Sequence, residues 1–274
     1  MLPDRETSGV SLSKLREGAL RVRIHRPDIR SSDAGLLWVH GGGLILGAAK
    51  MDDRFCGLLA RTLGITVIAA DYRLAPEHPY PAAHIDLLAI WDWVRERAHA
   101  LQIDPGRVAV GGSSAGGGLA AALVLRLLDR GGPQPIAQWL FAPMLDDRTA
   151  TRAGLDDIDH WVWPNRSNRF GWGAYLGAPP GAPSVSEYAA PARREDLRGL
   201  PPTWIGVGEL DLFLDEDASF ARRLADARVD VTLDVVAGAP HSFEGWAPEA
   251  LLSRRFLDRS ARWLAQVLRR TLAN

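Results

Sequence analysis

The stretch that decides the fold runs from Arg107 to Leu119 and reads RVAVGGSSAGGGL. Val108, Ala109 and Val110 form a short apolar run without charge, which suits a strand buried on both faces. Gly111 and Gly112 are expected to break that strand, and an apolar helical run, LAAALVLRLL, begins at Leu119. Between them, Gly112-Ser113-Ser114-Ala115-Gly116 fits G-x-S-x-G, the strand, sharp turn and helix of a nucleophile elbow. The spacing has a steric cause. So tight a turn strains its central residue and crowds the positions two before and two after it, so both must be small. Around Ser114 both are glycine; the rival register, centred on Ser113, has Gly111 and Ala115 there. The turn lifts the serine oxygen clear of the sheet, and the first N–H groups of the helix, that of Ala115 among them, point at the same spot. A glycine-rich turn without chemistry, or a phosphate-binding turn, shares part of this pattern. No G-K-[ST] follows, which argues against a P-loop.

Working outward, short apolar strands alternate with helical segments. Ala19 to Arg26 alternates apolar and charged residues and reads as a half-exposed, antiparallel edge strand, after a polar and loose segment over residues 1–18. Gly35–Val39 is a buried strand that ends on His40-Gly41-Gly42-Gly43. Three glycines let the backbone come close to a ligand and aim successive N–H groups at one point, which beside an activated serine makes an oxyanion hole. A bulkier residue at Gly43 is therefore expected to cost rate with little loss of stability. Further strands are expected over 65–70, 136–142, 201–207 and 231–236, and helices over 51–63, 84–100, 214–227 and 248–270. Asp71, Arg73, Glu77 and Asp86 read as ion-pairing and loop-fixing residues rather than as catalysts. The long segment after the strand at 136–142 is too long for a simple connection. We read 145–195 as a cap or lid inserted in a single domain spanning 1–274. Its Trp161, Trp163, Phe170 and Trp172 are expected to wall an apolar pocket.

Three late strand ends carry Ser114, Asp211 and His241, in that order. A serine hydroxyl needs a base, and a histidine with an ordinary pKa of about 6.5 suits. An aspartate would orient the ring and stabilise the imidazolium. His241 alone among the histidines sits in a short loop after a late strand. Asp211 lies just past its strand, whereas Asp215, Glu216 and Asp217 would open the next helix, where acids complement the dipole.

The whole chain sets bounds. Its 274 residues carry a net charge of −1, so charge gives no case for nucleic acid or an anionic membrane as partner. No apolar run reaches transmembrane length. The single cysteine, Cys56, excludes an internal disulfide, fits a reducing, cytoplasmic setting and reads as a buried structural thiol. His78, His84 and His99 sit in or beside one helix and show no paired metal-ligand spacing.

HGGG at 40–43, DYRLAPE at 71–77, GSSAGG at 112–117, DLRGLPP at 196–202, ELDLFLDE at 209–216 and HSF at 241–243 together resemble the hormone-sensitive-lipase-like esterases, bacterial α/β-hydrolases with an H-G-G-G motif. The resemblance runs from about residue 20 to the C-terminus. It implies an α/β-hydrolase fold, with a mostly parallel sheet flanked by helices. It implies Ser114 as nucleophile, His241 as base and Asp211 as acid, with the N–H groups of Gly42, Gly43 and Ala115 as the oxyanion hole and His40 as a structural residue. The implied activity is hydrolysis of small carboxylic esters with short to medium acyl chains, without metal or cofactor, and a homodimer fits the family. The sequence departs from it where Ser113 stands in place of the usual Asp or Thr, and in its short N-terminal segment. Amide, lactone or carbamate hydrolysis by the same triad, or ligand binding on this fold, are the alternatives.

Overall fold

Strand β1 (Val10–Glu17) pairs antiparallel with β2 (Leu20–Pro27), and β2 pairs antiparallel with β4 (Thr66–Ala70). All other pairings, among β3 (Gly35–Val39), β4, β5 (Val108–Ser113), β6 (Gln138–Phe141), β7 (Thr203–Gly208) and β8 (Val231–Val236), are parallel. In the computed structural model, which describes residues 7–18 and 20–270, these strands form one sheet in the order β1-β2-β4-β3-β5-β6-β7-β8. The helices are α1 (Asp53–Leu63), α2 (Ala82–Glu96), α3 (Ala98–Leu101), α4 (Ala115–Arg130), α5 (Asn165–Leu176), α6 (Leu214–Asp226), α7 (Phe243–Trp246) and α8 (Leu251–Arg270).

The continuous apolar runs are buried on both faces because helices cover both. Alternate side chains feed two cores. Leu37, Val39, Ile68, Val110, Leu140 and Ile205 meet Leu87 and Trp91 of α2, Leu119 and Leu123 of α4 and Phe220 of α6. On the other face Leu36, Trp38, Val67, Trp139, Phe141 and Trp204 meet Cys56 and Leu59 of α1 and Phe256 and Leu264 of α8. Cys56 is fully buried, as a structural thiol should be.

Three expectations need correction here. First, Gly111 and Gly112 do not break the strand: β5 runs through both to Ser113. Trp38, Gly111, Trp139 and Trp204 lie in one row across the sheet, and the Trp38 and Trp139 rings meet over the glycine at 5.8 Å. A Cβ on Gly111 would lie 2.8 Å from the Trp139 carbonyl oxygen, which belongs to the sheet and cannot move aside. We expect Gly111→Ala to lower stability by about 1–3 kcal/mol, the usual cost of overpacking, seen as a lower thermal midpoint.

Second, the polar N-terminal segment is not loose throughout. Val10–Glu17 is the true edge strand, and β2 lies inside it with Val22 and Ile24 buried. No residue of β1 is fully buried, and its Lys14, Arg16 and Glu17 suit an edge that must not pair further. Residues 1–6 of that segment lie outside the described residues. The helix expected from Leu119 also begins earlier, at Ala115, so Gly116, Gly117 and Gly118 are helical.

Candidate active site

The end of β5 shows why the elbow needs its glycines. Ser114 is held at φ 56° and ψ −122°, a conformation uncommon outside glycine. Its N–H donates to the Phe141 carbonyl at 2.8 Å, and its carbonyl accepts from the Met144 N–H at 3.0 Å. A Cβ on Gly112 would collide with the Gly116 carbonyl, and one on Gly116 with the carbonyls of Val39 and His40. The two flanking positions thus touch each other and the neighbouring strand end. Ser113 ends β5 in register with Phe141, and both line the cavity that Trp38 also lines.

The structure brings Ser114, His241 and Asp211 together. His241 follows β8 and sits 3% exposed, with Nε2 2.9 Å from Ser114 Oγ and Nδ1 2.8 Å from Asp211 Oδ2. Asp211 follows β7, and its other carboxylate oxygen accepts the Phe213 N–H at 2.9 Å, which fixes its rotamer. Phe213 packs edge-on against the His241 ring at 5.2 Å. Burial alone would lower the His241 pKa; the Asp211 carboxylate, by charge and hydrogen bond, outweighs it and holds the imidazole above its ordinary value. The result is a hydroxyl hydrogen-bonded to an oriented base, the arrangement of an activated nucleophile.

Beside it lies the glycine loop. Gly42 is at φ 123° and Gly43 at φ 61°, both awkward for a residue with a Cβ. The Gly42 carbonyl accepts from Leu46 N–H at 2.9 Å, which turns the loop back on itself. Among the described residues the N–H groups of Gly42 and Gly43 donate to nothing. His40 is structural: its ring stacks on Tyr72 at 4.3 Å, its Nδ1 lies 2.7 Å from the Gly41 carbonyl, and Tyr72 Oη donates to its own carbonyl at 2.8 Å. Asp71 accepts the Ala49 N–H at 3.0 Å, and Arg73 pairs with Asp86 at 2.7 Å, so these residues fix loops as the sequence implies.

The segment 145–195 is tied shut at its base. Arg193 donates to the buried Asp147 carboxylate at 2.7 Å, and Ala192 N–H donates to the Leu145 carbonyl at 3.1 Å. Its four aromatics do not act as one wall. Trp172 is 1% exposed in the core, while Trp161 and Phe170 are 70% and 65% exposed. Trp163 alone lies on the glycine loop: a Cβ on Gly43 would strike its ring. Enlarging Gly43 therefore disturbs packing as well as any hydrogen bond, so the expectation of lost rate with little lost stability is withdrawn.

Two buried acids escaped sequence reading. Asp215, Glu216 and Asp217 do open α6, but only Asp215 faces water. Glu216 accepts the Leu145 N–H at 2.7 Å, the Asp146 N–H at 3.2 Å and the Thr149 hydroxyl, and so anchors the chain leaving β6. Burial pushes its pKa up to about 8. The fully buried Asp217 carboxylate has no hydrogen-bond partner among the described residues, and burial, with Glu216 and Asp211 close by, pushes it well above the carboxylate range. Acids raised in the fold add stability below their unfolded pKa and lose it as pH rises through the folded value. We expect the thermal midpoint to fall from about pH 4.5 to about pH 8, the window of Glu216. Glu216→Gln with Asp217→Asn should flatten that slope, and a midpoint that rises across the window would contradict the assignment.

A family model described as alpha/beta hydrolase fold matches residues 36–245, most of the chain. The chain belongs to the α/β-hydrolase family. This α/β hydrolase is 37% identical over 234 residues to the carboxylic ester hydrolase LipN of Mycobacterium tuberculosis, a match that covers 82% of this chain and 61% of LipN. Among solved structures, a bacterial heroin esterase superposes with a TM-score of 0.91 at 38% identity, over 97% of this chain and 87% of that one. An esterase of the bacterial hormone-sensitive lipase family superposes with a TM-score of 0.81 at 30% identity, over 96% and 86%. The α/β hydrolase therefore sits with the hormone-sensitive-lipase-like esterases, as its six motifs implied.

Proposed function

We propose that this chain is a serine carboxylesterase acting on small esters with short to medium acyl chains. The observation that carries the reading is the unbroken relay from Asp211 through His241 to Ser114, with both hydrogen bonds below 3 Å, in a chain related to esterases.

In this reading Ser114 Oγ attacks the ester carbonyl carbon while His241 Nε2 takes the hydroxyl proton. Asp211 keeps Nδ1 protonated and stabilises the imidazolium. The N–H groups of Gly42, Gly43 and Ala115 hold the oxyanion. As the tetrahedral species collapses, the bond to the alcohol breaks and His241 returns its proton to the leaving oxygen. Water then attacks the acyl-enzyme with His241 as base again, releasing the acid and regenerating Ser114. The residues 145–195 serve as the cap. Among the described residues no helix is long and apolar enough to cross a membrane; we place the enzyme in the cytoplasm. The exposed Leu233 and Val235 on β8 fit a homodimer.

Trp163 on the glycine loop is a rigid obstacle to length, while each acyl methylene gains only about 0.8 kcal/mol when it can be buried. We expect kcat/KM on p-nitrophenyl esters to peak at about two to six acyl carbons and to fall beyond about eight, where burial no longer adds. Trp163→Ala should move the maximum to longer chains. A wild-type maximum at dodecanoate or longer would overturn the short-chain reading.

A further inference from the structure

Between α1 and α8, on the face of the sheet away from α4, lies a cavity of about 500 Å3, large enough for a small organic molecule. Trp38, Phe141 and Ser113 line its inner end, with Phe55 and Leu58 of α1 and Glu244 of α7 at its sides. The aromatic rings are mutually packed: Trp38 meets Phe55 at 4.9 Å and Phe55 meets Phe141 at 6.0 Å. Four carboxylates line the same space, those of Asp52, Glu244, Glu249 and Asp258, together with Arg54 and Arg254. Asp52 is fixed by the Trp38 indole N–H at 2.7 Å, which leaves its other oxygen without a side-chain donor. Among the described residues no side chain donates a hydrogen bond to the Glu244 carboxylate, which lines the cavity. The two lining arginines are engaged with Glu249: Arg54 pairs with its carboxylate at 3.1 Å, and Arg254 donates to its carbonyl.

We propose that this cavity is a second binding site, for a small organic cation with an apolar body, an aryl- or alkylammonium ion. The rings and Leu58 supply an apolar, cation-accepting wall. Asp52 and Glu244 form no ion pair with a lysine or arginine among the described residues; burial pushes both carboxyls up, Glu244 to about 7, and a bound cation favours their ionised form. An anion would face an excess of carboxylates over arginines, and a neutral apolar ligand would leave Asp52 and Glu244 uncompensated. Neither Ser114 nor His241 lines the space. The site nonetheless touches the machinery from behind, through Ser113 next to Ser114 and through Glu244 three residues past His241.

Benzyltrimethylammonium titrated calorimetrically into the full chain tests this. Saturable binding is expected, weakened about tenfold by Glu244→Gln and by Asp52→Asn, the loss of one charge contact apiece. Leu58→Trp, at a position 41% exposed and so tolerant of size, should fill the cavity and abolish binding at an unchanged thermal midpoint. Binding that survives Leu58→Trp, that ignores both carboxylate substitutions, or that is absent from the unaltered protein overturns the proposal.

Discussion

Ser114→Ala is expected to lower ester turnover by roughly 10⁴-fold or more, with the thermal midpoint close to that of the unaltered protein. The hydroxyl contributes one hydrogen bond, to His241 Nε2, and the strained backbone is kept by other contacts: the Ser114 N–H on Phe141, its carbonyl on Met144, and the close approach of Gly112 to Gly116. Alanine removes the nucleophile and leaves those in place. Ser113→Ala should only reduce activity, because Ser113 faces the cavity behind the elbow rather than His241. A dead Ser113→Ala beside an active Ser114→Ala would show the register to be wrong.

Asp211→Asn should have the next largest effect, a loss of about 10⁴-fold in kcat. An amide at 211 can present its N–H to Nδ1 and so favour the wrong tautomer, leaving Nε2 protonated and unable to accept the Ser114 proton. The pH profile separates this from a merely structural role. The unaltered enzyme needs neutral His241, whose pKa Asp211 holds above its ordinary 6.5. Its kcat/KM should therefore rise with pH and level off only above that value. Without the carboxylate, burial loses its main opponent and only Glu244 still acts against it, so the histidine pKa falls and the residual rate of Asp211→Asn should level off at lower pH. A profile that stays in place would show that Asp211 does not govern His241.

The elbow was legible because its rule is steric and local: small residues two before and two after a strained serine. The parallel strands were legible because burial on both faces leaves apolar runs without alternation. What stayed hidden depends on partners distant in sequence. Val10–Glu17 carries too many charges to read as a strand until β2 is known to offer it an edge. Gly116 to Gly118 look like helix breakers, yet they are helical, and they are glycine because the carbonyls of Val39 and His40, Pro143 and the Met144 carbonyl respectively leave no room for a Cβ. Glu216 and Asp217 look like solvated helix-start acids, and only the return of the chain after β6 buries them. Trp161 and Trp163 are two residues apart in an irregular segment, where no periodicity says that one faces water and the other the glycine loop.

The central claim, that Ser114 is a nucleophile activated by His241, is tested most directly by covalent labelling. The protein is treated with a fluorophosphonate, followed by intact mass and peptide mapping alongside hydrolysis of p-nitrophenyl butyrate. The account predicts one phosphonyl group per chain, on Ser114, with activity lost in step with labelling and no labelling of Ser114→Ala. A protein that hydrolyses the ester while Ser114 stays unlabelled, or that carries the label on Ser113, would contradict it.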